Sequence, residues 1–300
     1  MAKKKLLIIG GTGFLGENLD RFLKKKYNVF KTTYKKKEDF KILKLDLKNK
    51  TLIKNFFINN EFNYVINLGG YIDHSNLSQN GNEVLKVHLE SLFYIFKFIN
   101  KKKLEHFIQI GSSDEYGNNN SPQMENMNED PFSIYSYAKA AATRFVMTLF
   151  KTEKFPVTVL RPFLVYGPGQ NFNRFIPQVI KGCLNDKTFP TSAGLQYRDF
   201  CYIDDFAKSV IKLIGKKKTF GKIYNVGSGK KIRIRDVVNL IKLIIKKGKP
   251  QFGKFPYRKF ENMSLYPSIK KIYLDTGWKP KVKLEEGLIK TIKYYRHFEK

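Results

Sequence analysis

Tyr135 and Lys139 stand four residues apart in PFSIYSYAKAAATRF, a segment with the composition of a helix. Residues at i and i+4 share one helical face. A phenol ionises near about pH 10, too high for a useful base at neutrality. An ammonium beside it favours the phenolate and is expected to lower that value. The two residues are therefore candidates for moving a proton. Tyr137 lies two positions from Lys139, nearly opposite on the helix, and is not expected to join them. Upstream, GSSDEYG (Gly111–Gly117) follows the apolar run FIQI and offers Ser112, Ser113, Asp114, Glu115 and Tyr116. Such polar density straight after a buried strand marks a second candidate cluster.

Elements must exist to position these groups. LLIIG (Leu6–Gly10) is a short continuous apolar run, the pattern of a strand buried on both faces. It flows into GGTGFLG and then an amphipathic helical pattern. Gly10, Gly13 and Gly16 form G-x-x-G-x-x-G, which overlaps G-x-G-x-x-G. Between a strand and a helix, such glycines allow a tight turn, a close approach to pyrophosphate, and free amides at the helix start. Phe14 and Leu15 complete that turn. The next strand ends near Thr33, followed by Tyr34, Lys35, Lys36, Lys37 and Glu38. Hydroxyls and ammoniums suit a 2′-phosphate, which favours NADP(H) with NAD(H) possible; Glu38 could instead reach a ribose. Asp46 and Leu47 end a third strand and border an adenine site. Leu68 and Gly69 close a fourth strand, YVINLGG, and FIQI is the fifth. Helical patterns recur between these strands, so the fold class is α/β, a Rossmann-type doubly wound parallel sheet, with the site beyond the strand carboxyl ends.

The formal charge of +30 raises nucleic-acid or membrane binding. The lysines, however, lie in short runs along the whole chain, several where helices should end and cations complement the dipole. No recognition helix or basic-aromatic strand accompanies them, and no segment has the roughly 18 apolar residues of a membrane span. Neither partner is expected. Cys183 and Cys201 lack metal-clip spacing and suit reduced thiols in a cytoplasm. No metal is expected.

GGTGFLG, SSDEYG, Tyr135-x-x-x-Lys139, LRPFLVYGPGQ and YRDFCYIDD together resemble the extended short-chain dehydrogenase/reductases of the nucleotide-sugar epimerase/dehydratase group. The resemblance runs on through NVGSGKKIRIRDVV and TGWKPKVKLEEGL. It implies that Tyr135 exchanges a proton with a sugar oxygen and that Lys139 lowers its pKa and binds the nicotinamide ribose. Ser112 would hydrogen-bond the reacting oxygen. Arg198, and Arg258 in FPYRKFENM, would clamp the nucleotide-sugar pyrophosphate, a task suited to arginine. The family often has Asn where this chain has His88, and a polar residue where it has Leu164. His88 is given no role; His74, in the loop after the fourth strand, either lines the pocket or is solvated, and solvation is favoured.

The family's 4,6-dehydratases carry Thr-Asp-Glu before the Tyr-Gly pair. Aligned without a gap, this chain offers Ser112, Ser113 and Asp114; with a one-residue gap it offers Ser113, Asp114 and Glu115. Asp114 is assigned to catalysis and Ser113 and Glu115 to the substrate. The imperfect triplet and the NADP(H) preference favour NADPH-dependent reduction of a 4-keto nucleotide sugar. 4,6-Dehydration is second and 4-epimerisation third; a catalytically silent dinucleotide- or RNA-binding protein is the reading from another class. The Rossmann part should cover residues 1–165 with returning elements from 200–245. Residues 166–199 and 246–300 should form a smaller α/β nucleotide-sugar-binding lobe. The family relationship implies a homodimer.

Overall fold

A computed structural model describes residues 3–35, 39–257 and 261–297. Seven parallel strands form the central sheet: β1 (Lys5–Ile9), β2 (Asn28–Thr33), β3 (Ile42–Lys44), β4 (Tyr64–Asn67), β5 (His106–Ile110), β6 (Val157–Pro162) and the strand Lys222–Val226. Their order is Lys222–Val226, β6, β5, β4, β1, β2, β3. The chain thus winds outward from β1 in one direction, then returns to β4 and continues in the other. At such a reversal, beyond the loops after β1 and β4, sheets of this kind bind their ligands. A Cβ on Gly10 would lie 3.1 Å from Gly69 Cα, so those loops touch.

Alternation along β1 feeds both faces. Leu6 and Ile8 pack with Leu19 and Leu23 of α1 (Phe14–Leu23). Leu7 and Ile9 pack with Ile53 and Phe57 of α2 (Lys50–Asn59). A strand sandwiched this way must read as continuous apolar sequence, and LLII does. The long stretch between β4 and β5 is helical but not uniform. Wider π turns at Leu77–Gly81 and Lys86–Glu90 flank α3 (Asn82–Leu85), and α4 (Ser91–Phe98) follows. α5 (Ile134–Glu153) carries Tyr135 and starts at Ser133, whose hydroxyl accepts the Ser136 N–H at 3.1 Å.

The smaller lobe contains α6 (Phe175–Leu184), and its packing redraws one expected boundary. α7 (Ile203–Leu213) lies against α1, and Lys222–Val226 joins the sheet, but α8 (Ile234–Ile245) packs on α6 and on α10 (Leu284–Arg296). The return to the sheet is therefore narrower than residues 200–245. KPQF (Lys249–Phe252) pairs as a strand with Thr188–Thr191. The lobe has no separate core: Ile176 and Ile180 belong to the same buried apolar cluster as Leu6 and Ile8. Among the described residues, no helix is long and apolar enough to cross a membrane.

Candidate active site

The first strand-to-helix turn explains its glycines by contact. Gly10 has φ +70°, a region costly for residues with a Cβ. A Cβ on Gly16 would come within 2.4 Å of the Gly11 carbonyl oxygen, so α1 can approach the strand only with glycine there. At Gly13 a Cβ would meet only the Gly10 carbonyl oxygen, at 3.5 Å, which leaves the space before the helix open. No side chain caps the start of α1 at Gly13. Open space before an uncapped helix start fits a dinucleotide pyrophosphate, with Phe14, Leu15 and Gly16 at that end. Thr32 Oγ1 accepts the Gly10 N–H at 3.0 Å, and Thr33 Oγ1 accepts the Lys35 N–H at 3.3 Å. Asp46 closes its own turn by accepting the Lys48 N–H, while Leu47 sits against Gly69 and Leu68 packs on the core. Lys36, Lys37 and Glu38 lie outside the described residues.

Tyr135 and Lys139 are both buried on the same face of α5, whereas Tyr137 is 53% exposed. The Lys139 ammonium donates to the Ile110 carbonyl at 2.9 Å and lies 6.0 Å from the Tyr135 ring centre. Burial pushes the Lys139 pKa down to about 8, against the pull of Glu115 and Asp114. Burial, reinforced by Asp114, pushes the Tyr135 phenol well above its ordinary value, and its hydrogen bond with Ser112 only partly offsets this. The lowering expected from Lys139 is therefore not seen: burial decides the direction, because an ionised phenol loses its hydration on leaving water. The oxidised nicotinamide is itself cationic and would add positive charge beside the phenol when bound.

The turn Ser113–Tyr116 separates its two carboxyls. Ser112 caps it, with its hydroxyl accepting the Asp114 N–H at 3.1 Å. Asp114 is partly exposed, its charge acts on the Tyr135 phenol, and His74 lies beside both residues. Glu115 points the other way and has no exposed surface. Its Oε1 accepts the Ser112 N–H at 2.7 Å and its Oε2 accepts Arg161 Nε at 2.8 Å. Burial pushes the Glu115 carboxyl up, but N–H donors on both oxygens hold it as a carboxylate. Arg161 also donates to Glu129 at 2.5 Å, and Arg144 Nε donates to Glu129 at 2.9 Å. Glu115 therefore belongs to a buried ion chain, which corrects its expected place against the substrate. Ser113 is also buried, at 5% exposure. The geometry selects the ungapped reading: Ser112 and Asp114 face the site, Ser113 stands between them, and Glu115 is behind.

Two histidines border the phenol: His88, given no role by the sequence, and His74, for which solvation was favoured over a place in the pocket. The His88 ring lies edge-on to Tyr135, with centres 5.3 Å apart, and burial lowers its pKa to about 3. It is neutral, and its Nε2 contacts the Tyr71 carbonyl at 2.9 Å, which makes Nε2 the protonated nitrogen. His74, expected to be solvated, lies edge-on to Tyr135 at 5.3 Å, with Nδ1 3.1 Å from Ser133 Oγ and Nε2 3.8 Å from Asp114 Oδ2. Arg174, at the start of α6, is also near enough for its charge to favour the Tyr135 phenolate. A cation just after the glycine turn of YGPGQ was the available signal for it.

Arg198 is largely buried, donates to the Tyr197 carbonyl at 2.7 Å, and forms an ion pair with Glu261. Its fork thus holds a carboxylate, where the resemblance implied a pyrophosphate. Leu164 is 41% exposed. Arg258 lies outside the described residues.

Known proteins resemble the chain over nearly its whole length. The chain is 28% identical to a dTDP-D-glucose 4,6-dehydratase of Dictyostelium discoideum, over 79% of this chain but only 61% of that protein. It is 26% identical to the dTDP-D-glucose 4,6-dehydratase of Homo sapiens, over 98% of this chain and 90% of that one. The crystal structure of UDP-glucuronic acid 4-epimerase from Bacillus cereus, in complex with UDP-glucuronic acid and NAD, shares the fold. Its TM-score is 0.88 at 24% identity, over 98% of this chain and 99% of that chain. Residues 6–227 match the sequence profile described as the NAD dependent epimerase/dehydratase family. With the first glycine turn, the Tyr135–Lys139 pair and the sheet all inside that match, the chain belongs to the NAD dependent epimerase/dehydratase family.

Proposed function

We propose that the protein is a nucleotide-sugar 4,6-dehydratase. When bound, a nicotinamide would supply the hydride chemistry at C4 of the hexose. Tyr135, hydrogen-bonded by Ser112, accepts the C4 hydroxyl proton, and Lys139 supplies positive charge beneath it. Asp114 then removes the proton at C5, which the new C4 ketone has made acidic. The observation that carries this reading is the orientation of the turn: it aims one carboxylate at the Tyr135 side of the site. Reduction of a 4-keto sugar, favoured by the sequence alone, uses the same Tyr135 and Lys139 but gives Asp114 no task. Two of the relatives aligned over most of this chain, at 28% and 26% identity, are dehydratases.

4-Epimerisation is the second reading, and Ser113 favours it. In the ungapped alignment a serine stands where dehydratases of the family place an acid. Incubating the enzyme with dTDP-glucose or UDP-glucose in deuterated water separates the two. Dehydration yields a product lighter by one water and carrying deuterium at C5. Epimerisation leaves the mass unchanged, and that result would remove the dehydratase reading.

The residues after β2 support a 2′-phosphate. Thr33 and Lys35 occur there, without a carboxylate at the described residues of that strand end. NADP(H) is expected to bind about tenfold more tightly than NAD(H), and Lys35→Glu to narrow the ratio. Titration of nucleotide binding by fluorescence tests this; equal affinities would count against it.

A further inference from the structure

Loss of water across C5 and C6 needs a base at C5 and a proton for the departing oxygen at C6. The turn at Ser113–Tyr116 has two carboxyls, yet Glu115 is engaged behind it by Arg161 and the Ser112 amide. Asp114 is left as the turn's carboxylate on the Tyr135 side, and Ser113 is a poor acid. The titratable side chain that touches both Asp114 and Tyr135 is His74. Its loop is built to hold it there. Asp73 accepts the Ser75 N–H at 2.8 Å and the Asn80 amide at 2.6 Å, and Asn80 also reaches the Tyr71 hydroxyl. Ser133, the residue that caps the catalytic helix, fixes the Nδ1 side of the ring.

Resting on the dehydratase reading, we propose that His74 is the general acid that protonates the leaving C6 hydroxyl, with Asp114 as the base at C5. Asp114 takes the C5 proton, and the C–H electron pair moves into an enolate shared with the C4 oxygen. That pair then forms the C5–C6 double bond as the C6–O bond breaks. The oxygen departs with the Nε2 proton of the imidazolium as water. The proton now on Asp114 crosses to Nε2 and restores both groups. No electron is gained or lost in this step, and His74 takes the place of the second carboxyl that this chain has committed to Arg161.

The test uses His74→Gln and Asp114→Asn with dTDP-glucose, UDP-glucose and their 6-deoxy-6-fluoro analogues, whose fluoride leaves without a proton. In His74→Gln, water loss should fall by about 100-fold. C4 oxidation, read from absorbance of the reduced nicotinamide, should stay within about threefold, as should fluoride elimination. Asp114→Asn should lose C5 deuterium uptake and elimination with either leaving group. The inference is overturned if His74→Gln slows fluoride and water loss alike, or slows neither. A wild-type enzyme that loses water while His74→Gln gives either of those results removes His74's role and leaves the dehydratase reading standing. A wild-type enzyme that only epimerises removes both.

Discussion

Arg161 Nε and Glu115 Oε2 lie 2.8 Å apart with neither side chain reaching solvent, directly behind the turn that presents Asp114. Such a pair is costly to assemble in low dielectric and costlier to break singly, because the surviving charge is stranded. Arg161 also stacks over the Tyr116 ring at 4.5 Å. The pair thus ties β6 to the catalytic turn.

Glu115→Gln should therefore destabilise the protein by about 3 kcal/mol. Urea denaturation followed by circular dichroism measures it, and a change below about 1 kcal/mol would show the pair to be dispensable. Kinetics sharpen the point. If the pair orients the turn, kcat should fall while KM for the sugar moves little, since Asp114 and Ser112 act on the reaction more than on binding.

Lys139 gives a prediction with a definite sign. Its pKa falls from an ordinary 10.5 to about 8 in the fold. Between those values the unfolded chain holds a proton that the folded chain has released, so stability should rise with pH across that window. Below about pH 8 both states are protonated and the cost of burying the ammonium is fully present. Lys139→Met should remove that slope and raise stability at pH 7 by roughly 3 kcal/mol, while abolishing turnover. The difference between wild-type and variant pH profiles isolates this group from the other lysines; parallel profiles would refute it.

Tyr135→Phe should lower kcat by about a thousandfold and leave dinucleotide affinity nearly unchanged. Tyr137→Phe, on the exposed face of the same helix, should have no effect. Equal losses in the two variants would mean that the helix face has been misassigned.

If Arg198 clamps a substrate phosphate, Glu261 competes with that phosphate for the guanidinium. Arg198→Met should raise KM for the nucleotide sugar by about 10- to 100-fold with a smaller change in kcat. Glu261→Gln releases the guanidinium and should lower KM. A raised KM in Glu261→Gln would instead make that carboxylate part of the binding surface.

The sheet and the phenol were readable from sequence because each has a period. LLII and YVIN are continuous where burial is two-sided, and Tyr135 and Lys139 are one helical turn apart. The orientation of GSSDEYG was not readable. Whether Asp114 or Glu115 faces the sugar depends on a short tight turn and on Arg161, a residue 46 positions from Glu115 that no local pattern connects to it. His74 was hidden for a similar reason, since its partners Asp114 and Ser133 come from separate loops. The sign of the phenol's shift also escaped, because spacing reveals the neighbouring ammonium but not how little water the site contains.

The apolar interior running from β1 through α7 and α8 to α6 has a mechanical consequence. Two parts of a molecule welded across one dry seam cannot rock apart like jaws without tearing that seam open. Any opening of the site is then left to shorter segments at its rim, while the scaffold beneath them stays still.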